Sequence, residues 1–95
     1  MISLIGLRKT LRLFDENEKY ARNGKWSIAR GGYDLYWELY YDNIPIVDCT
    51  EGFIKISISN ENTIKLAERI VKAIKEEYSY CYKYSVSVNG IETNL

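Results

Sequence analysis

Three patterns predict an α+β protein. Apolar and polar residues alternate over residues 33–42, a second alternation runs over residues 54–59, and an amphipathic helical stretch follows over residues 66–78. Strands with one apolar face and helices with one apolar stripe bury both against each other, so the expected architecture is a two-layer sandwich: a mainly antiparallel sheet with both helices on one face. The expected order is helix, four-strand meander, helix, then a C-terminal strand or hairpin. The chain of 95 residues fits one core and is too short for two, so residues 1–95 are expected to form a single domain.

The first helix is expected over residues 3–22. Leu4, Leu7, Leu11 and Phe14 recur at spacings of three, four and three, and Ala21 extends that stripe. Gly6 weakens its first turns, and Asn23-Gly24 offers the left-handed geometry of a helix stop. Residues 25–30 carry Trp26 and Ile28 on one side, and Gly31-Gly32 suits a two-residue hairpin into the strand over residues 33–42. There Tyr33, Leu35, Trp37, Leu39 and Tyr41 share one side, while Asp34, Tyr36, Glu38, Tyr40 and Asp42 share the other. Asp42-Asn43 marks the next hairpin, and Pro45, which has no amide hydrogen to donate, belongs at an edge or a bulge. After a turn at Thr50-Glu51-Gly52, Ile54, Ile56 and Ile58 form the inward row of a fourth strand. The second helix carries Leu66, Ala67, Ile70, Val71 and Ile74 on one face, with Tyr78 continuing the row and Asn60 or Asn62 as its cap. Tyr80, Tyr82, Tyr84, Val86 and Val88 then alternate with small or polar residues as a strand, and Asn89-Gly90 turns residues 91–95 back as a short final one.

Formal charge is zero, with 13 basic and 13 acidic residues, but it is unevenly spread. Residues 1–32 hold seven basic against three acidic groups, and residues 33–60 hold one basic against five acidic. Zero net charge argues against a dedicated nucleic-acid binder, whose affinity rests on neutralising phosphates. The apolar stretch at residues 1–7 is short and is followed, not preceded, by Arg8 and Lys9, so no secretory leader is expected. Nowhere does the chain hold the roughly 18 to 20 continuous apolar residues that span a bilayer. A cytoplasmic protein without a membrane partner is the expectation, and Cys49 and Cys81 are then expected as free thiols.

Most catalytic chemistries lack their residues. There is no histidine, which removes Ser-His-Asp and Cys-His catalysis and the commonest zinc ligand. Cys49 lies among Asp48 and Glu51, where like charge disfavours a thiolate. Two isolated cysteines make no metal motif. Asp34 and Glu38, or Glu38 and Asp42, are four strand positions apart, roughly 13 Å at about 3.3 Å per residue, beyond the reach of a glycosidase acid pair. No phosphate-binding loop or dinucleotide fingerprint occurs. The helix–strands–helix order is that of the double-stranded RNA-binding domain, but the turn before the second helix holds only Lys65 beside Glu61 where that fold needs a basic cluster. No enzyme, cofactor or metal is expected.

What remains is surface chemistry. Asp34, Tyr36, Glu38, Tyr40 and Asp42 point toward a non-enzymatic protein-binding module, an inhibitor or regulator that engages a basic, nucleic-acid-binding surface of another protein. Tyrosine offers contact area at little entropic cost, and carboxylates steer a cationic partner. Small phage-borne anti-defence proteins follow that logic. Two alternatives accompany it: nucleic-acid binding through Arg8, Arg12, Lys19 and Arg22 on the first helix, and a homodimer formed through an edge strand or the exposed tyrosines.

Overall fold

Gly6 adopts φ +91°, a conformation L side chains rarely reach, and an added Cβ there would lie 2.9 Å from the Asn23 carbonyl oxygen. The first helix therefore starts after it. In the computed structural model, which describes residues 1–17, 19–31, 36–59 and 62–95, helix α1 spans Leu7–Asn17. The helix expected over residues 3–22 is too long at both ends. Its C-terminal part is instead strand β1, Tyr20–Asn23, in which Ala21 reaches the core by pairing with Ile28. Asn23-Gly24 does stop an element, but as the start of a hairpin turn with Gly24 at φ +62°.

Strands β2 (Trp26–Arg30), β3 (Trp37–Tyr41), β4 (Ile44–Thr50) and β5 (Phe53–Ile56) continue the antiparallel meander. Helix α2 (Thr63–Glu77) follows, then a 3-10 turn (Ser79–Lys83), strand β6 (Ser85–Val88) and strand β7 (Ile91–Thr93). The seven strands lie in the order β1-β2-β3-β4-β5-β6-β7. Among the described residues only β5 and β6 pair in parallel, since α2 lies between them and returns the chain to the same end of the sheet. The meander thus has five strands where four were expected. Gly31 extends the β2–β3 ladder by donating its N–H to the Tyr36 carbonyl (2.9 Å); Gly32 of the expected Gly31-Gly32 turn and residues 33–35 of the expected strand lie outside the described residues. Among the described residues no helix is long and apolar enough to cross a membrane.

Two tight turns are as expected. Asp42 and Asn43 (φ 51° and 65°) join β3 to β4, and Asn89 and Gly90 (φ 51° and 83°) join β6 to β7. Asn89 does more than turn the chain. Its side chain accepts from the Ile58 N–H (3.0 Å) and donates to the Ile58 carbonyl (2.8 Å), which satisfies backbone beyond the end of β5 and holds Ile58 in the core. The strand expected from Tyr80 is shortened to β6. Tyr78, Cys81 and Tyr84 are spaced by three, the period of a 3-10 helix, and burying Tyr78 and Cys81 together prevails over the alternation of Tyr80, Tyr82 and Tyr84.

One contiguous core holds the inward strand residues Trp26, Ile28, Trp37, Leu39, Val47, Cys49, Ile54, Ile56, Val86 and Val88. Leu7, Leu11 and Phe14 of α1 and Ala67, Ile70, Val71 and Ile74 of α2 belong to the same cluster. The helices are also tied directly. The Tyr78 hydroxyl donates to the Leu11 carbonyl at 2.6 Å, Arg8 pairs with Glu76 at 2.6 Å, and Arg12 pairs with Glu77 at 2.8 Å. Asn62 occupies the N-cap position of α2 without a side-chain capping bond, and Asn60 lies outside the described residues.

Candidate functional site

Strand β3 reads Trp-Glu-Leu-Tyr-Tyr. Trp37 and Leu39 are sealed in the core, while Glu38 and Tyr40 lie on the other side of the strand and stay partly exposed. The register sets their neighbours: Glu38 lies between Ala29 on β2 and Asp48 on β4, and Tyr40 between Ser27 and Pro45. Two carboxylates directly opposite each other on one sheet face repel, and such a pair costs stability unless a cation relieves it. Lys55 is the cross-strand neighbour of Asp48 on β5, yet it is not within ion-pairing distance of either acid. The Asp48 Oδ1 atom is shielded from solvent and accepts no hydrogen bond.

Tyr36 completes the cluster. Its hydroxyl donates to Glu38 Oε1 at 3.1 Å. Burial first, then that hydrogen bond and the negative charges of Asp48 and Glu38, push the Tyr36 phenol up to about 12. Tyr40 is raised too, by burial and by the same two carboxylates. Both phenols are therefore neutral donors at ordinary pH. A raised folded-state value means stability that is complete below the unfolded tyrosine value of about 10 and is lost as pH rises through the folded one. In an alkaline titration followed by tyrosinate absorbance, Tyr36→Phe should remove one phenol that ionises near pH 12 and leave the earlier ones unchanged. Loss of an early-titrating phenol instead would contradict this environment.

The seat of Tyr36 is Gly31. A Cβ at Gly31 would overlap the Tyr36 ring at Cδ1 and Cε1, so the ring would have to leave that position. Gly31→Ala is expected to expel Tyr36 from its place beside Glu38 while adding no charge. The late-titrating phenol should then return toward the ordinary tyrosine value, and an unchanged titration would show that the ring does not depend on this glycine.

Of the acids and tyrosines expected to act together, Tyr36, Glu38 and Tyr40 are brought into one cluster. Asp42 is exposed in the β3–β4 turn, one pair beyond them, and Asp34 lies outside the described residues. Sequence reasoning missed Asp48. A regular two-residue hairpin closed by Tyr41 and Ile44 would set Val47 opposite Glu38; the register shift between Leu39 and Tyr40 brings Asp48 there instead. Pro45 was the signal, because its missing N–H calls for a bulge, and one extra residue moves the next side chains to the other face.

The basic row expected on the first helix is not assembled. Arg8 and Arg12 lie on α1 and face Glu76 and Glu77. The Arg12 hydrogen bond and charge hold the Glu77 carboxyl below its usual range against the opposing effect of burial. Lys19 falls after the helix, and Arg22 sits on β1, where Nη2 donates to Asn43 Oδ1 at 2.6 Å and Nε to the Tyr20 hydroxyl at 3.1 Å. Cys49 and Cys81 are both fully buried and adjoin each other. The neighbouring Cys81 thiol, then burial, raise the Cys49 thiol, with Asp48 a smaller contributor than the sequence implied. Among the described residues no group of three or more potential ligands could hold a metal ion. Comparison of the chain with protein-family models, curated proteins and solved structures finds no match.

Proposed function

We propose that the chain is a non-enzymatic protein-binding module, an inhibitor or regulator, that engages a basic surface of another protein through the outward face of β3 and β4. The observation that carries this reading is the Glu38–Asp48 pair: two opposed carboxylates that make no ion pair with the neighbouring Lys55, one oxygen shielded and unpaired, and phenols on either side. An arginine of a partner answers each of those needs. Its guanidinium offers several donors in a plane, matches carboxylates in bidentate fashion and stacks on tyrosine rings. The reading takes both helices to cover the opposite face of the sheet. It is supported by the single core that contains the inward strand residues and the apolar stripes of α1 and α2. Outward residues Lys55, Ser57, Ser85 and Glu92 are exposed, which is consistent with a face left open.

The test is affinity capture with the immobilised protein from nuclease-treated extract of its native host. A basic protein retained in proportion to the chain and released by Tyr36→Ala with Tyr40→Ala is the expected result. Retention of nucleic acid alone, or of proteins indifferent to those substitutions, would overturn the reading.

A further inference from the structure

A second surface differs from the acidic one in sign and in texture. Two cavities of about 500 and 660 Å³ adjoin between α2 and the N-terminal segment with the start of α1, and share Arg69 and Lys72 in their walls. Lys65 lines one cavity and Lys9 the other. None of these four cations lies within ion-pairing distance of a described carboxylate, and Arg8 takes up Glu76 nearby, leaving Glu68 as the unpaired acid in the walls. Lys65, Arg69 and Lys72 are spaced by four and three on α2, which makes one basic stripe roughly 10 Å long at about 1.5 Å per residue.

Apolar side chains share these walls, Met1 and Ile2 in the second cavity and Leu4 in the first, and further aliphatics are exposed nearby in the chain. Ile64 precedes Lys65 and is 53% exposed, and Ile5, beside the groove-lining Leu4 and Gly6, is 86% exposed. Met1, which lines the second cavity, is fully exposed as well. Uncovered aliphatic side chains gain nothing from a phosphodiester backbone, and among the described residues no aromatic ring lines either cavity on which a base could stack. Free cations flanked by aliphatic side chains match an anionic bilayer surface, where the charges meet lipid headgroups and the aliphatics enter the acyl boundary.

We infer that this groove docks on an anionic lipid surface, as a peripheral contact that requires no spanning segment. The acid and tyrosine cluster of β3 and β4 belongs to side chains that point away from the core and is left free by such docking.

Co-sedimentation with vesicles tests this. The wild-type chain is expected to sediment with vesicles of phosphatidylcholine and phosphatidylserine, to stay in solution with phosphatidylcholine alone, and to be released by salt. The Lys65→Glu, Arg69→Glu, Lys72→Glu variant should lose about a hundredfold or more in affinity. Ile5→Ser with Ile64→Ser should also weaken vesicle binding while leaving any retention on heparin unchanged, with circular dichroism confirming the fold of each variant. Glu38→Lys with Asp48→Lys should still sediment, which separates this surface from the protein-binding one. Failure to sediment with phosphatidylserine vesicles would overturn the inference. So would single-stranded RNA binding that competes with vesicles while the isoleucine substitutions have no effect, since the groove would then be a polyanion surface.

Discussion

Glu38→Lys with Asp48→Lys is expected to abolish capture of the basic partner while keeping the like-charge repulsion of the free protein, now between lysines with Lys55 beside them. Relief of that repulsion needs a neutral side chain. Glu38 and Asp48 face each other across β3 and β4, and Lys55, opposite Asp48 on β5, closes no ion pair with either. Directly opposed like charges cost a sheet some fraction of 1 kcal/mol, and that cost is carried by the unbound protein. A cationic partner removes it, whereas two lysines facing that partner impose like-charge contacts of several kcal/mol, a loss in affinity of at least about a hundredfold. The milder Glu38→Gln separates the terms. It should raise the melting temperature slightly and weaken capture less, because the repulsion disappears while Asp48 keeps its charge. Calorimetry on the free protein and a binding titration at two salt concentrations check both signs. A variant that binds as well as wild type removes the proposed interface, and one that unfolds shows that the acids hold the fold and not a partner.

The largest expected effect on stability is at Trp37. It is 1% exposed, pairs across β3–β4 with Cys49, and meets the Tyr78 ring edge to face at 5.8 Å, with Tyr80 stacked on Tyr78 at the same spacing. Trp37 thus joins the sheet to the end of α2, and Tyr78 carries the link on to α1 through the Leu11 carbonyl. Removing a buried indole costs about 3–5 kcal/mol in transfer free energy and cavity. For a chain of 95 residues the total is roughly 5–14 kcal/mol at about 0.05–0.15 kcal/mol per residue, so Trp37→Ala takes a large share. Its melting temperature should fall by at least about 12 °C. Tyr78→Phe keeps the ring and loses only the hydroxyl bond, which predicts a cost nearer 1 kcal/mol. Thermal melts of the two variants should fall in that order. Equal losses would mean that the hydrogen bond and not the packing holds this corner.

Local signals were legible where one period or one turn chemistry had no competitor. The stripe of Ala67, Ile70, Val71 and Ile74 is helical at a spacing no strand can share, and Asp42-Asn43 and Asn89-Gly90 accept positive φ where few other pairs would. Ambiguity arose where two periods overlapped. Ala21 fits a helical row after Phe14 and equally a strand opposite Ile28, and tertiary pairing chose the strand. Tyr80, Tyr82 and Tyr84 alternate like a strand, but Tyr78, Cys81 and Tyr84 repeat by three, and the core accepted the second set. The candidate site divides the same way. Tyr36, Glu38 and Tyr40 share a face by strand geometry alone and could be grouped from the sequence. Asp48 could not, because its place opposite Glu38 depends on a one-residue shift whose position is decided by pairing between strands.

The account rests on the direction of side chains along β3, and cysteine labelling reads that direction. Native Cys49 and Cys81 are fully buried and provide a silent background. With single substitutions Glu38→Cys, Leu39→Cys and Tyr40→Cys, a polar maleimide is predicted to label positions 38 and 40 rapidly and position 39 only after unfolding. Rapid labelling at 39 with protection at its neighbours would contradict the account.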